Sequence, residues 1–154
     1  MPAKRLKEFL DSHKVKYVAI SHSRAFTAQD VAESAHVSGK ELAKTVMVRL
    51  DGRTAMAVVP AASRVNFDLL KQAAGARSVE LANEKEFKDM FPECEVGAMP
   101  PFGKLYGLET YASNRLAEQK EIVFSAGLHT ELIRLSYKDF ERLAEPKVAR
   151  LTAD

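Results

Sequence analysis

The chain has 154 residues, of which 46% are hydrophobic and 29% charged, a composition typical of one folded domain rather than of a disordered segment. Lysine and arginine total 23 against 21 aspartates and glutamates, which excludes a strongly basic, histone-like nucleic-acid-binding protein. The single cysteine excludes an internal disulfide, and no apolar stretch approaches the roughly 20 residues that span a bilayer. Since the first residues also lack the apolar core of a signal peptide, we expect a reduced, cytoplasmic setting and no membrane partner.

Short helices and short strands are predicted to alternate along the chain. Helices are predicted where apolar residues recur every three or four positions or follow a capping residue, over residues 3–13, 27–35, 66–74, 83–91 and 137–143. Strands are predicted where apolar and β-branched residues run together, over residues 15–20, 45–50, 54–59, 79–81, 105–111, 121–125 and 131–135. The last ten residues carry neither pattern, and we expect them to be loosely held.

The pairing of these strands decides the fold class. Asp51-Gly52 separates two apolar runs and is the dipeptide typical of a two-residue hairpin turn. Because strands joined by a hairpin are antiparallel, this pattern disfavours a doubly wound parallel sheet. No glycine-rich nucleotide-binding loop follows a predicted strand. We therefore predict a single α/β domain with a curled, mixed, largely antiparallel sheet surrounded by helices, and no nucleotide cofactor.

The loop over residues 97–103 is the most unusual segment. Gly97 and Gly103 flank Met99-Pro100-Pro101-Phe102. The prolines fix the backbone and remove two N–H donors, while the glycines permit close approach of another backbone. Such a loop holds one shape, so that its remaining amides can point at a ligand. A rigid structural crossover and a binding loop are equally compatible with this pattern.

Two further side chains are candidates for chemistry. Lys44 lies at the entry of the first hairpin strand, where a lysine is usually solvated, but a lysine that faces a pocket can hold a phosphate or a polarised carbonyl. His129 follows the turn at Gly127 and can hydrogen-bond a substrate, although a lone loop histidine is more often incidental. Cys94 stands between two glutamates, which disfavour its thiolate, and no serine-nucleophile motif is present. Any hydrolysis is therefore expected to proceed without a covalent enzyme intermediate.

The order and spacing of several segments resemble the YbaK-like aminoacyl-tRNA deacylases, which are related to the editing domain inserted in bacterial prolyl-tRNA synthetases. The matching segments are residues 43–48, the strand that ends at Pro60, residues 71–76, the loop 97–103 and residues 124–127. The resemblance covers about residues 4–143. It implies a compact α/β domain with a curled mixed sheet and a small pocket at one end.

The resemblance also implies an activity and a set of site residues. Such proteins hydrolyse the ester that joins a wrong amino acid to the 3′ end of a tRNA, without a metal or cofactor. Lys44 matches the pocket lysine on which they depend most, and Gly97 and Gly103 match the loop whose amides are implied to stabilise an oxyanion. The other positions implied to contact the substrate are Thr45, Met99, Pro100, Pro101, Phe102, Gly127 and His129.

Two departures from the family pattern leave the substrate open. Pro100 stands where relatives that clear cysteine or alanine from proline tRNA often carry serine, and Thr45 stands where alanine-clearing relatives often carry asparagine. The resemblance thus implies a small amino acid on proline tRNA or a related tRNA, with an aminoacyl-tRNA synthetase as a second partner. The basic segment 1–24 is expected to contact the tRNA backbone. The alternative is a catalytically inactive module that binds RNA or a synthetase; no recognition helix indicates DNA binding.

Overall fold

An open, mixed β-sheet forms the centre of the fold. The structure is a computed structural model that describes residues 4–21, 37–91, 94–95 and 98–153. Within these ranges the sheet has eight strands, in the order β1-β7-β6-β2-β3-β5-β8, with β4 also paired to β2. The strands are β1 (Tyr17–Ser21), β2 (Leu42–Leu50), β3 (Arg53–Pro60), β4 (Val79–Leu81), β5 (Glu109–Ser113), β6 (Glu121–Ser125), β7 (Glu131–Ser136) and β8 (Lys147–Ala149).

Short helices flank the sheet. They are α1 (Lys4–Ser12), α2 (Phe67–Ala74), α3 (Glu84–Phe87) and α4 (Tyr137–Ala144), with 3-10 helices at Lys88–Met90, Gly103–Tyr106 and Leu116–Glu118. None of the helices in the described ranges is long and apolar enough to cross a membrane. The helix predicted over residues 27–35 lies outside the described residues.

The strand pairings confirm the predicted fold class. β1 with β7, β6 with β7, β2 with β3 and β2 with β4 are antiparallel, whereas β2 with β6, β3 with β5 and β5 with β8 are parallel. The predicted hairpin is also confirmed, since Asp51 and Gly52 both have positive φ (51° and 87°), as the tight two-residue turn requires. This turn sets the register in which Lys44 lies opposite Val59.

Alternation along β2 divides the core into two faces. Val48 and Leu50 belong to the cluster that packs under α2. Ala43 belongs instead to the cluster of α1 and α4, and Met47 packs with Met99. Because successive side chains of a strand point to opposite faces, the side chain of Lys44 lies on the α2 face.

Two sequence predictions are wrong in the second half of the chain. The strand predicted over residues 105–111 begins only at Glu109, because Gly103–Tyr106 form a 3-10 helix. The described part of the last ten residues is not loosely held: β8 pairs with β5, Leu151 is fully buried, and its carbonyl accepts a hydrogen bond of 2.7 Å from the Asn66 N–H. A strand of three residues is too short to show an alternating pattern of apolar residues in the sequence. β8 is ordered because it pairs with β5, which lies more than thirty residues earlier in the chain.

The N-cap of α2 gives a first testable prediction. The Asn66 side chain accepts a hydrogen bond of 3.0 Å from the Leu69 N–H, which is otherwise unpaired in the first turn. Asn66→Ala should therefore lower the free energy of unfolding by about 1 kcal/mol, measured by urea denaturation. Asn83→Ala is the matched control, since Asn83 caps only the four-residue α3. An equal loss in both variants would contradict the assignment.

Candidate functional site

Lys44 is a half-buried cation without a carboxylate partner in the described ranges. It lies on β2 with Val59 directly opposite on β3. Partial burial lowers the pKa of its ammonium, and the positive charge of Arg64 lowers that pKa further. A partly desolvated cation beside a second cation gains free energy when an anion binds. The position of Lys44 therefore favours the binding of a negatively charged group.

The junction of β2 and β6 connects Lys44 with the turn that follows β6. These parallel strands pair Leu42 with Val123 and Ala43 with Phe124. The same register, carried one residue further, places Ser125 beside Lys44 and on the same face of the sheet. Ser125 was part of the sequence resemblance but was not assigned to the site. The chain then passes directly into the turn that contains two of the predicted site residues.

That turn is held by hydrogen bonds to Glu95 and Ala98. The Gly127 N–H donates to the Ala98 carbonyl at 2.9 Å, and the Glu95 N–H donates to the Gly127 carbonyl at 2.7 Å. The Glu95 carboxylate accepts a further hydrogen bond of 2.8 Å from the His129 N–H. Gly127 has a φ of 98°, a conformation that disfavours any other residue. The structure thus brings Gly127 and the nearly buried His129 against the beginning of the predicted loop.

Glu95 is a site-organising residue that the sequence did not single out. It belongs to an acidic run over residues 80–95, a pattern typical of a solvated surface. Its bond to the His129 N–H spans 34 positions of sequence. No local spacing indicates such a contact.

The second half of the loop packs into the core on the other face of the sheet. Phe102 is fully buried, with its ring centroid 5.4 Å from that of Phe124 and 5.6 Å from that of Phe140. Met99 packs in the cluster that includes Met47, on the face opposite to Lys44. The structure therefore does not bring the side chains of Met99 and Phe102 to Lys44. All the described residues of the loop are buried: Ala98, Met99, Pro100, Pro101, Phe102 and Gly103.

The amides of this loop are largely engaged within the chain. The Gly103 N–H donates to Thr110 Oγ1 at 3.1 Å, the Ala98 N–H to the Glu95 carbonyl at 3.0 Å and the Phe102 N–H to the Pro100 carbonyl at 2.9 Å. A Cβ at position 103 would lie 2.4 Å from Thr110 Oγ1, so close packing requires a glycine there. To serve as an oxyanion donor, Gly103 would have to release Thr110.

The remaining predicted positions are Thr45, Gly97 and the basic N-terminal segment. Thr45 is half-buried and, by strand alternation, faces away from the Lys44 side. Gly97 lies outside the described residues. Of the basic N-terminal segment, Lys7 forms an ion pair with Glu131, and the Arg5 guanidinium donates to the Leu105 carbonyl at 3.2 Å. In the part of the chain that is described, no group of three histidine, cysteine, aspartate or glutamate side chains is placed to hold a metal ion.

Comparison with known proteins gives a consistent family assignment. A family model for the aminoacyl-tRNA editing domain matches residues 22–143. The proline--tRNA ligases of Bacillus mycoides (strain KBAB4) and Bacillus cereus (strain AH187) are each 27% identical over 89 residues. The match covers 58% of this chain but only 16% of either ligase.

Two solved structures share the fold over nearly the whole chain. The crystal structure of a proposed trans-editing enzyme for prolyl tRNA synthetase has a TM-score of 0.83 at 20% identity, covering 99% of this chain and 97% of that one. The crystal structure of hypothetical protein APE2540 has a TM-score of 0.86 at 22% identity, covering 97% of this chain and 99% of that one. At such identities the likeness establishes the fold alone.

Proposed function

Because the chain belongs to the aminoacyl-tRNA editing domain family, as its motifs predicted, we propose that it hydrolyses the ester between a small amino acid and the 3′ end of a tRNA. The observation that carries this proposal is the placement of Lys44. Its half-buried ammonium has no carboxylate partner in the described ranges and lies near the beginning of β2, beside the strand that leads into the Gly127–His129 turn. The expected tRNA is that for proline or a related tRNA, since the curated relatives are proline--tRNA ligases.

Hydrolysis of an aminoacyl ester requires only a few contributions from the protein. An aminoacyl ester is already activated, so that hydrolysis needs an oriented water molecule and a place for developing negative charge. We propose that Lys44 holds the negatively charged acceptor end and thereby fixes the ester. The ribose hydroxyl next to the ester is proposed to position the water, without a metal and without a covalent intermediate.

The proposed selectivity depends on the size of the amino acid that the site admits. A synthetic site rejects a smaller amino acid by only about 10-fold to 200-fold per methylene, which is why a second, hydrolytic site is useful. We propose that His129 contacts the amino acid, because its backbone is fixed by Glu95 beside the start of the loop. The aminoacyl-tRNA synthetase that charges the same tRNA is the proposed second partner.

One observation favours the alternative, a module that binds RNA or a synthetase without turnover. The amides of Ala98, Phe102 and Gly103, which would serve an oxyanion, are engaged in bonds within the chain. In that case Lys44 binds the RNA but no ester is cleaved.

A deacylation panel distinguishes the two functions. Proline tRNA and a second tRNA, each charged with alanine, serine, cysteine, threonine or proline, are incubated with the protein, and release of the labelled amino acid is followed. We expect hydrolysis of at least one small amino acid above the rate without protein. Saturable tRNA binding with no hydrolysis across the panel would overturn the proposed activity and support the binding module.

A further inference from the structure

Arg64 lies at the same end of the β2–β3 hairpin as Lys44. After β3 ends at Pro60, the Ala61 N–H donates to the Leu42 carbonyl at 2.7 Å, and the Ala62 N–H donates to the Gly39 carbonyl at 3.2 Å. These bonds hold the chain that leaves β3 against the chain that enters β2. Ser63 is buried in this turn, and Arg64 follows it with an exposed side chain.

The segment that carries Arg64 also belongs to the Lys44 face of the sheet. Val65 packs against the cluster under α2, and this cluster includes Val59, the cross-strand neighbour of Lys44. Arg64 therefore stands at the rim of the face on which Lys44 lies, where the loop from β3 approaches α2.

The two cations share this rim without a compensating acid. In the described ranges neither side chain forms an ion pair, whereas other exposed arginines do, such as Arg53 with Glu109 and Arg142 with Asp139. The positive charge of Arg64 is close enough to act on the Lys44 ammonium. Two like charges held on one rim repel each other, and a bound anion relieves that repulsion.

The chemistry of the proposed substrate indicates which anion would bind between Arg64 and Lys44. In an aminoacyl ester the carboxyl group of the amino acid is esterified and carries no charge, while its amino group is a cation. The phosphodiesters of the RNA strand are therefore the anions at the acceptor end. A guanidinium offers a planar pair of donors that matches phosphate oxygens.

We propose that Arg64 binds a backbone phosphate of the single-stranded 3′ end and so positions the RNA for Lys44. This inference rests on the proposed function. It assigns Arg64 a positioning role, since the residue acts on the RNA backbone and not on the ester.

The test compares Arg64→Gln, Arg64→Lys and the control Arg77→Gln over a series of salt concentrations. Arg77 is an exposed arginine at the far end of α2. With a substrate that the wild type hydrolyses, Arg64→Gln should raise KM by about threefold to tenfold at low salt, with kcat within about twofold of the wild type. The slope of log kcat/KM against log salt should fall by about 0.7, the value for one phosphate contact on a single strand. Arg64→Lys should restore most of the slope, and Arg77→Gln should match the wild type.

The outcomes distinguish a failure of this inference from a failure of the proposed function on which it rests. If the wild type is active and Arg64→Gln behaves as Arg77→Gln does, the role of Arg64 is overturned and the hydrolase assignment stands. If the wild type hydrolyses nothing, the same salt series is measured on the binding of uncharged tRNA. A reduced slope in Arg64→Gln then supports the phosphate contact without the activity, and an unchanged slope or no binding by the wild type overturns it.

Discussion

Lys44→Ala is expected to lower kcat/KM for deacylation by about 100-fold, because the acceptor end is no longer held and the ester is no longer fixed in place for the attacking water. The half-buried ammonium has no carboxylate partner within the described ranges, so its charge is available to the substrate. The rates of amino acid release by the variant and the wild type give the measurement. The substrate is the member of the deacylation panel that the wild type cleaves fastest.

The fold of this variant should persist, which makes the rate interpretable. The lowered pKa of Lys44 means that folding disfavours the charged form of its side chain. At pH values below this lowered pKa the charge therefore reduces the free energy of unfolding, and Lys44→Ala removes that reduction. The thermal unfolding midpoint should therefore stay close to that of the wild type. Lys120→Ala is the matched control, because this exposed lysine precedes β6 at the end remote from Ser125. Equal losses of activity in the two variants would refute a specific role for Lys44.

The parts of the fold that sequence predicted are those set by local signals. Asp51-Gly52 dictates a two-residue turn, and the helix predicted over residues 66–74 is observed as Phe67–Ala74, with Asn66 and Gly75 as its caps. β8 was missed because its three residues gain their order from β5, far away in sequence. The same reason applies to Leu151, whose burial depends on tertiary packing and not on a local pattern.

In the candidate site too, residues in local sequence motifs were predicted, whereas residues placed by long-range contacts were missed. The resemblance singled out Lys44, but it grouped that residue with Thr45, although strand alternation sends neighbouring side chains to opposite faces. Arg64 and Glu95 were not singled out, because a charged residue in a turn or an acidic run is usually solvated. The position of Glu95 follows from its hydrogen bond to the His129 N–H, and that of Arg64 from the hydrogen bonds that join the end of β3 to the beginning of β2.

Phe102 gives the largest expected effect on stability and also tests its predicted contact with the substrate. Its ring is fully buried among Phe9, Phe124 and Phe140, with centroid distances of 6.1, 5.4 and 5.6 Å. Phe102→Ala should therefore lower the free energy of unfolding by about 3–5 kcal/mol, because it leaves a cavity in the core. For a chain of this length the thermal midpoint should fall by about 10 °C. Urea and thermal denaturation provide the two measurements.

A second variant separates packing from recognition. Phe102→Leu keeps most of the apolar volume and should cost only about 1–2 kcal/mol, since the edge-to-face ring contacts are lost but little space is left empty. If the side chain serves the core alone, the ratios of kcat/KM among the amino acids of the panel should equal those of the wild type at a temperature where both proteins are folded. A changed ratio with a nearly unchanged midpoint would instead show that the ring contacts the amino acid, and the loop would then reach the substrate from the face opposite to Lys44.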